Sequence, residues 1–525
     1  MRSNPSSDRS VGQPAAPTTS SSRWILLTTI LASSMAFIDS SAFNVTLPAI
    51  QADLGATGKQ LLWIVNAYLL FLSALLLLGG SLGDRYGRKK VLALGIIVFT
   101  SGSLAAGLSA SSGFLVGTRA IQGIGGALMV PGSLSIITAS VPAQDRGAAI
   151  GTWSAFTTVA TILGPVLGGF LASAGLWRVV FFINLPLAVV ALAGLAKRVP
   201  ESRDPEAKHL DVLGALLVTL SLAGLTYGAI EAPESGITHP WVLIALAGGV
   251  VGLLGFIDWE WRTSSPLLPL RLFGSRTFSG TNLLTLLLYA ALNIALFFFS
   301  LTLIQGQGYR ASEAGLAILP FTFMLALLSR WSGDLADRHG PRPLLVVGPL
   351  IAGIGFFGLG LPGPGNGPSQ YWTTYFPWIM AVGIGMGLTV APLTTAVMSS
   401  VREGRAGTAS GINNAIARVG GVLAVAIVGG MALLSFRQTL AVRSQSIPIT
   451  AGQHQQLMAA ADRFGETTPP ASVKGANREE IELAIHQSLL KTLNGTSKVA
   501  AGLAILGALL AGWFVEGKRM LASES

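Results

Sequence analysis

The feature that most constrains this chain is its regular return to apolar stretches of about 20 residues, each long enough to cross a bilayer. They lie near 25–47, 61–81, 91–109, 114–138, 148–173, 178–196, 211–230, 241–261, 278–305, 312–332, 343–362, 374–399, 408–435 and 496–515. In hydrocarbon every backbone N–H and C=O must be satisfied within the segment, which leaves helices as the natural form for such spans. The expectation is an all-α integral membrane protein with about 14 transmembrane helices. Composition agrees: of 525 residues 51% are hydrophobic and only 11% charged, where a soluble surface calls for about a quarter charged. Residues 1–22, rich in Ser, Pro and Thr, read as a disordered tail.

Between the second and third spans lies Gly79-Gly80-Ser81-Leu82-Gly83-Asp84-Arg85-Tyr86-Gly87-Arg88-Lys89-Lys90. Its glycines allow a tight turn between two helix ends, and its basic residues hold that turn at one membrane face. A partial copy follows, Gly333-Asp334-Leu335-Ala336-Asp337-Arg338-His339-Gly340-Pro341-Arg342. The alignment sets Asp84 on Asp337, Arg85 on Arg338 and Gly87 on Gly340. A charged turn repeated half a chain later implies two homologous halves. Gly147–Gly151 and Gly407–Gly411, each opening a helix after an arginine-bearing turn, point the same way.

An even number of spans puts both termini on one side. With the amino terminus inside, roughly 21 Lys and Arg fall in inner segments and about 3 in short outer loops. The predicted organisation is a six-helix bundle over 23–197, a linker with two inserted helices over 198–262, and a second six-helix bundle over 263–525. The second bundle carries an outer loop at 437–495, in which 478–492 has the pattern of an amphipathic helix. Multi-pass insertion in the cytoplasmic (inner) membrane with both termini cytoplasmic is the expected location.

Several motifs then resemble one family. The turn at 80–90 is similar to the loop signature of the major facilitator superfamily, and Arg119-Ala120-Ile121-Gln122-Gly123-Ile124-Gly125 to its fourth-helix signature. Gly164-Pro165-Val166-Leu167-Gly168-Gly169 resembles the fifth-helix signature associated with antiporters. Asp39 through Pro48, Trp177-Arg178 and Phe182-Ile183-Asn184-Leu185-Pro186 resemble the 14-helix drug:proton antiporters. The resemblance runs from about residue 23 to 435. It implies a major facilitator fold, two six-helix halves with two central helices inserted, that exports drugs or toxic compounds in exchange for protons.

The residues carry their own physics. Asp39 is the one acid placed well inside a predicted span. A carboxylate there costs several kcal/mol unless it is protonated, paired or wetted, and proton coupling needs a carboxylate able to change charge state beside a cavity. A capping role or a permanent pair with an arginine is the competing reading. Arg119 lies at comparable depth in the fourth span; the resemblance places helices one and four on the cavity, so pairing across it is plausible, with a purely structural arginine as the alternative. Gln122, at i+3, extends the polar face. Gly164, Pro165, Gly168 and Gly169 combine a helix-bending proline with a spacing that permits close helix contact; the resemblance makes this a seal between halves. Asp84, Arg85, Arg88, Asp337 and Arg338 are candidate gating charges, against simple topological anchoring.

Arg418 is the third deeply placed charge, suited to substrate contact or to structural bonding. Asn44, Asn66, Tyr68, Asn282, Asn293 and Asn413 are candidate cavity polars, although interhelical hydrogen bonding is their commoner use. Trp63 and Trp153, with Phe71 and Phe156, offer faces for a flat hydrophobic cation.

Other classes fall away. There is no cysteine, no GxxxxGK[ST] loop, and the five histidines are scattered, which argues against thiolate chemistry, ATP-driven export and a metal site. The glycine run 383–387 lies inside an apolar span and follows no strand, so a dinucleotide cofactor is improbable. The net charge of +10 faces the inner leaflet rather than nucleic acid. The partners expected are therefore the lipid bilayer, protons and small hydrophobic or cationic substrates, with no cofactor and no catalytic centre. An exporter of a specific metabolite or secreted antibiotic is the same-fold alternative; a scaffold or lipid-handling protein is the alternative of another class.

Overall fold

A computed structural model describes residues 19–204, 210–363, 365, 367–401 and 406–516. Fourteen helices long and apolar enough to cross a membrane are found among the described residues. They are α1 Arg23–Leu54, α2 Gly58–Tyr86, α3 Arg88–Gly107, α4 Ser112–Ser140, α5 Ala149–Ser173, α6 Val179–Arg198, α7 Val212–Ser235 and α8 Pro240–Arg262, followed by α9 Arg276–Gly306, α10 Ala311–Ala336, α11 Arg342–Leu359, α12 Phe376–Ser399, α13 Thr408–Ser444 and α14 Ala476–Phe514. Each matches an apolar stretch of the sequence. Their ends follow local chemistry: Thr57 and Gln60 form a capping box at the start of α2, and Ser111 and Ser275 accept from the amides of Phe114 and Phe278. Gly87 stops α2 at φ +115°, and Gly340 stands after α10 at φ +84°, a backbone conformation that favours glycine.

In the first half α1 packs on α5 and α6, and α4 on α2 and α3; in the second, α9 packs on α13 and α14, and α12 on α10 and α11. The inserted pair α7–α8 lies along the seam where α2 meets α13. Trp63 contacts Tyr227 of α7 there, ring centroids 6.2 Å apart, and Lys59 pairs with Glu231 and Glu234 at 3.3 and 2.9 Å. Large apolar side chains stand exposed around the outside, among them Val189, Leu220, Val251, Phe323 and Trp513. On a membrane protein that is the lipid-facing surface.

The two ends of the bundle differ. At the end opposite the charged turns, the halves close on each other at both seams. A Cβ on Gly58 would lie 2.5 Å from Leu433, and one on Gly429 2.4 Å from Leu62, joining α2 to α13. A Cβ on Gly169 would lie 2.4 Å from the Ala311 carbonyl, and one on Gly315 2.2 Å from that of Pro165, joining α5 to α10. At the charged-turn end α2 and α13 remain in touch near Leu77 and Gly411. There α5 hardly meets the rest of α10, and the bundle is parted on that side.

The segment 437–495 differs from a plain loop. Helix α13 runs on to Ser444 and α14 already begins at Ala476, so only 445–475 connects them. The extensions are held because Ile481, Ile485 and Leu489 are buried and because Arg443 donates to Gln487. The stretch 478–492 is thus the first part of one helix that continues into the membrane. The connection contains the short helix Ala451–Ala460 and a turn at Ala461–Glu466. Phe464 is buried against Phe436, Asp462 pairs with Arg437 at 3.0 Å, and Gln51 of α1 donates to the Arg463 carbonyl at 2.5 Å. Gln305 of α9 donates in turn to Gln51 at 2.9 Å. This cap therefore bonds to both halves at the closed end.

Candidate functional site

Asp39 stands near mid-membrane on α1, and Arg119 faces it from α4. Arg119 Nη1 donates to Asp39 Oδ2 at 2.5 Å and to Gln122 Oε1 at 2.9 Å. Gln122 Nε2 donates to Asp39 Oδ1 at 3.1 Å and to Ser103 Oγ at 3.2 Å. Ser103 Oγ donates to the Phe181 carbonyl at 2.8 Å and accepts from Asn184 Nδ2 at 2.9 Å. Four helices of the first half, α1, α3, α4 and α6, are tied by this one network. The guanidinium lies between aromatic faces, its carbon 4.3 Å from the ring centroids of both Phe43 and Tyr68, where the ring quadrupoles favour a cation. A lone ion of either sign would be expensive here; the paired arrangement is what makes both tolerable.

Exposure distinguishes the partners' surroundings. Asp39 is 0% and Arg119 1% exposed, yet Arg119 also borders a central cavity. Ser40, Phe43, Asn44, Tyr68, Asn293 and Phe297 are among its other walls, so both halves contribute. The cavity measures about 30 Å³, far below the ~300 Å³ a drug-sized ligand needs. In this conformation the carboxylate is shut off from water by its own counter-ion.

The other singled-out residues are placed as follows. Asn44 and Asn293 line the cavity, and Asn293 donates to the Tyr289 carbonyl at 2.8 Å. Asn66 is buried and donates to the Leu62 carbonyl of its own helix. Asn413 donates to Asn282 Oδ1 at 3.1 Å and Thr285 Oγ1 at 2.6 Å, bonding α13 to α9. Trp63 faces the inserted helices, and Trp153 donates from α5 to Ser33 of α1 at 3.1 Å. Arg418 is partly buried on α13, and its ionisable neighbours are Tyr68 and Tyr289.

Gly164 and Gly168 let α5 lie directly on α1. A Cβ at Gly164 would come 1.8 Å from Ser41 Oγ, and one at Gly168 2.5 Å from the Ala42 carbonyl. Pro165 and Gly169 form the contact to α10 described above. This element thus packs two and three residues from Asp39 on one side and reaches the second half on the other.

At the charged turn, Arg88 Nη2 pairs with Asp84 at 2.9 Å, and Arg85 lies against Tyr86. The chain after α6 folds back onto the turn. Glu201 accepts from the amides of Lys89 and Lys90 at 3.0 and 3.3 Å, and Asp204 N donates to the Asp84 carbonyl at 2.9 Å. In the second turn Arg338 is exposed, and the side chain of Asp337 lies outside the described residues.

Tyr68, a candidate cavity polar, does line the cavity, whereas sequence reasoning missed Ser103 and Phe297 and gave Phe43 no role, because a serine or a phenylalanine inside an apolar run carries no signal of its partner. Asn184 stood inside a quoted motif without a role. A second buried acid pair also went unread. Asp211 caps α7, accepting from Gly214 N and from Trp259 Nε1, and Glu260 accepts from Leu268 N. The free oxygens of Asp211 and Glu260 both press on the Cα of Gly214, 2.4 and 2.8 Å from where its Cβ would be.

The Major Facilitator Superfamily profile matches residues 29–425. The tetracenomycin C resistance and export protein of Streptomyces glaucescens is 31% identical over 481 residues, 91% of this chain and 88% of that protein. Multidrug resistance protein Stp of Mycobacterium tuberculosis is 32% identical over 77% of this chain and 75% of its own length. The probable actinorhodin transporter of Streptomyces coelicolor is 32% identical over 80% and 74%. Among solved structures, an inward-facing, unoccupied bacterial homologue of the human lysosomal transporter Spinster superposes with a TM-score of 0.65 at 21% identity, covering 94% of this chain and 98% of that one. With fourteen membrane-crossing helices arranged as two bundles and an insert, and with matches of this extent, the chain belongs to the Major Facilitator Superfamily.

Proposed function

We propose that the chain is a proton-coupled antiporter that exports hydrophobic small molecules, drugs or antibiotics, across the cytoplasmic membrane by alternating access. The observation that carries this reading is the Asp39–Arg119–Gln122 network at the wall of an inter-half cavity. Protonating Asp39 removes the charge that holds Arg119, so the guanidinium, already seated between Phe43 and Tyr68, is freed toward the cavity. Deprotonation draws it back. A buried pair that forms and breaks in this way is a two-state element, and a ligand in the adjoining cavity that favours one state displaces the proton.

The orientation we propose puts the charged turns and both termini in the cytoplasm, as the basic residues require. The parted side then opens inward, and the cap at 445–475 closes the outer face. A pH gradient contributes about 1.4 kcal/mol per unit and the potential about 2.3 kcal/mol per charge per 100 mV, enough together to drive export without a nucleotide. The names of the tetracenomycin and actinorhodin relatives favour a secreted antibiotic or a related polycyclic compound as one class of cargo.

The test is efflux by purified protein in vesicles under an imposed pH gradient. Asp39→Asn is expected to insert normally and to lose proton-linked transport, with no proton released on adding substrate. Normal pumping by that variant would remove Asp39 from the coupling role.

A further inference from the structure

We propose that the central cleft takes an acidic small molecule, an apolar scaffold carrying a carboxylate, phenolate or enolate, with Arg418 as its counter-charge. This deepens the export reading above and rests on it. Three buried or half-buried charges stand in the membrane interior, and two of them, Asp39 and Arg119, cancel at 2.5 Å. Arg418 makes no ion pair and no hydrogen bond among the described residues, and its ionisable neighbours are two tyrosines, Tyr68 and Tyr289. The carboxylates on the second half's spans, Glu313 and Asp334 of α10 and Glu479, Glu480 and Glu482 of α14, stand near the span ends, and among the described residues none supplies an anion for this guanidinium.

Its position fits a ligand site. Tyr68 lines the central cavity and stands beside both Arg119 and Arg418. Asn293, one turn along α9 from Tyr289, lines it too, as does Val425, seven residues along α13 from Arg418. Arg418 therefore stands about two helical turns from that lining residue, beside Tyr68 and on the side of the charged turns, where the bundle is parted. One turn further that way, Asn414 is exposed. A molecule entering from that end meets an unpaired guanidinium before it meets the sealed pair. Its apolar body would lie on Phe43, Tyr68, Leu69 and Phe297.

The chemistry excludes the reverse preference. A cationic ligand at this spot would add a second positive charge in a medium of low dielectric with no acid to receive it. The planar fork of Arg418 suits a carboxylate or a chelating oxygen pair through two parallel bonds. The sequence alone suggests hydrophobic or cationic cargo, because the aromatic residues are visible there and the lack of an acid beside Arg418 is not.

The experiment is equilibrium dialysis of the full chain in phosphatidylcholine nanodiscs, which add no net anionic lipid. The probes are anthraquinone-2-carboxylate, its neutral carboxamide, and ethidium. Wild type is expected to bind the carboxylate about tenfold or more tighter than the carboxamide, the scale of one charge-assisted bond. Arg418→Lys should keep most of that preference, and Arg418→Gln should bring the ratio close to one. Equal binding of the two anthraquinones by wild type, or a preference that persists in Arg418→Gln, overturns the proposal. Tight ethidium binding without carboxylate binding overturns the charge assignment and leaves the export reading standing. If none of the three probes binds, the cavity reading falls with it.

Discussion

The two halves descend from one pattern, yet they treat charge in opposite ways. In the first, Asp39 and Arg119 meet at 2.5 Å inside a network that reaches four helices. In the second, Arg418 stands nearer the charged turns with tyrosines for company and no acid among the described residues. The lesson is that pseudo-symmetry fixes where helices run and leaves the chemistry free to divide. One half holds a closed ion pair, and the other holds a guanidinium with no acid beside it among the described residues.

Breaking the pair is the strongest way to test the contrast. Arg119→Leu leaves a carboxylate buried without its counter-ion, which costs about 3–5 kcal/mol. Thermal unfolding in detergent should show a large fall, largely recovered in Asp39→Asn/Arg119→Leu, where both charges are gone. Arg418→Gln strands no partner and should shift the same midpoint little. An equal fall for Arg119→Leu and Arg418→Gln would mean that Arg418 is bound into the structure after all.

Next comes the spacing that keeps the pair closed. Gly168→Leu would drive a side chain into the Ala42 carbonyl, 2.5 Å from the added Cβ. Forcing bulk into a tight contact costs about 1–3 kcal/mol, and it should lift α1 away from α5. The measurable outcome is reduced folded yield and a proton leak without substrate. Gly411→Ala, at a looser inter-half contact of 3.6 Å, should do neither.

The cap sharpens the comparison between the two ends. Gln51→Leu removes the bonds from Gln305 and to the Arg463 carbonyl together. Because the natural chain contains no cysteine, a single cysteine placed at Ala461, buried in the same turn, can be labelled without background. Labelling by an impermeant reagent should rise a few-fold with Gln51→Leu, as expected for the loss of roughly 1 kcal/mol per neutral bond. The smallest effect belongs to Lys59→Ala. It removes ion pairs that are partly in solvent, each contributing no more than about 1 kcal/mol. Its midpoint should stay close to that of wild type.

Much of the fold was legible in the sequence. Fourteen apolar stretches, a charged turn and its copy specify helices, halves and insert, because a bilayer imposes span length and backbone satisfaction on any chain that crosses it. Asp39 and Arg119 were legible as well, since a charge in an apolar run stands out against its neighbours. Residue order also gives the tight α5 motif. The sequence was silent on who meets whom across helices. It could not show that Gln122 and Ser103 complete the bonding of Asp39, that Trp63 turns to the insert, or that Asp211 and Glu260 converge on Gly214. It also left open whether Arg418 had a partner. Local periodicity and solvent determine what each segment becomes; only the packing of segments distant in sequence decides which buried charge is answered and which is left for a ligand.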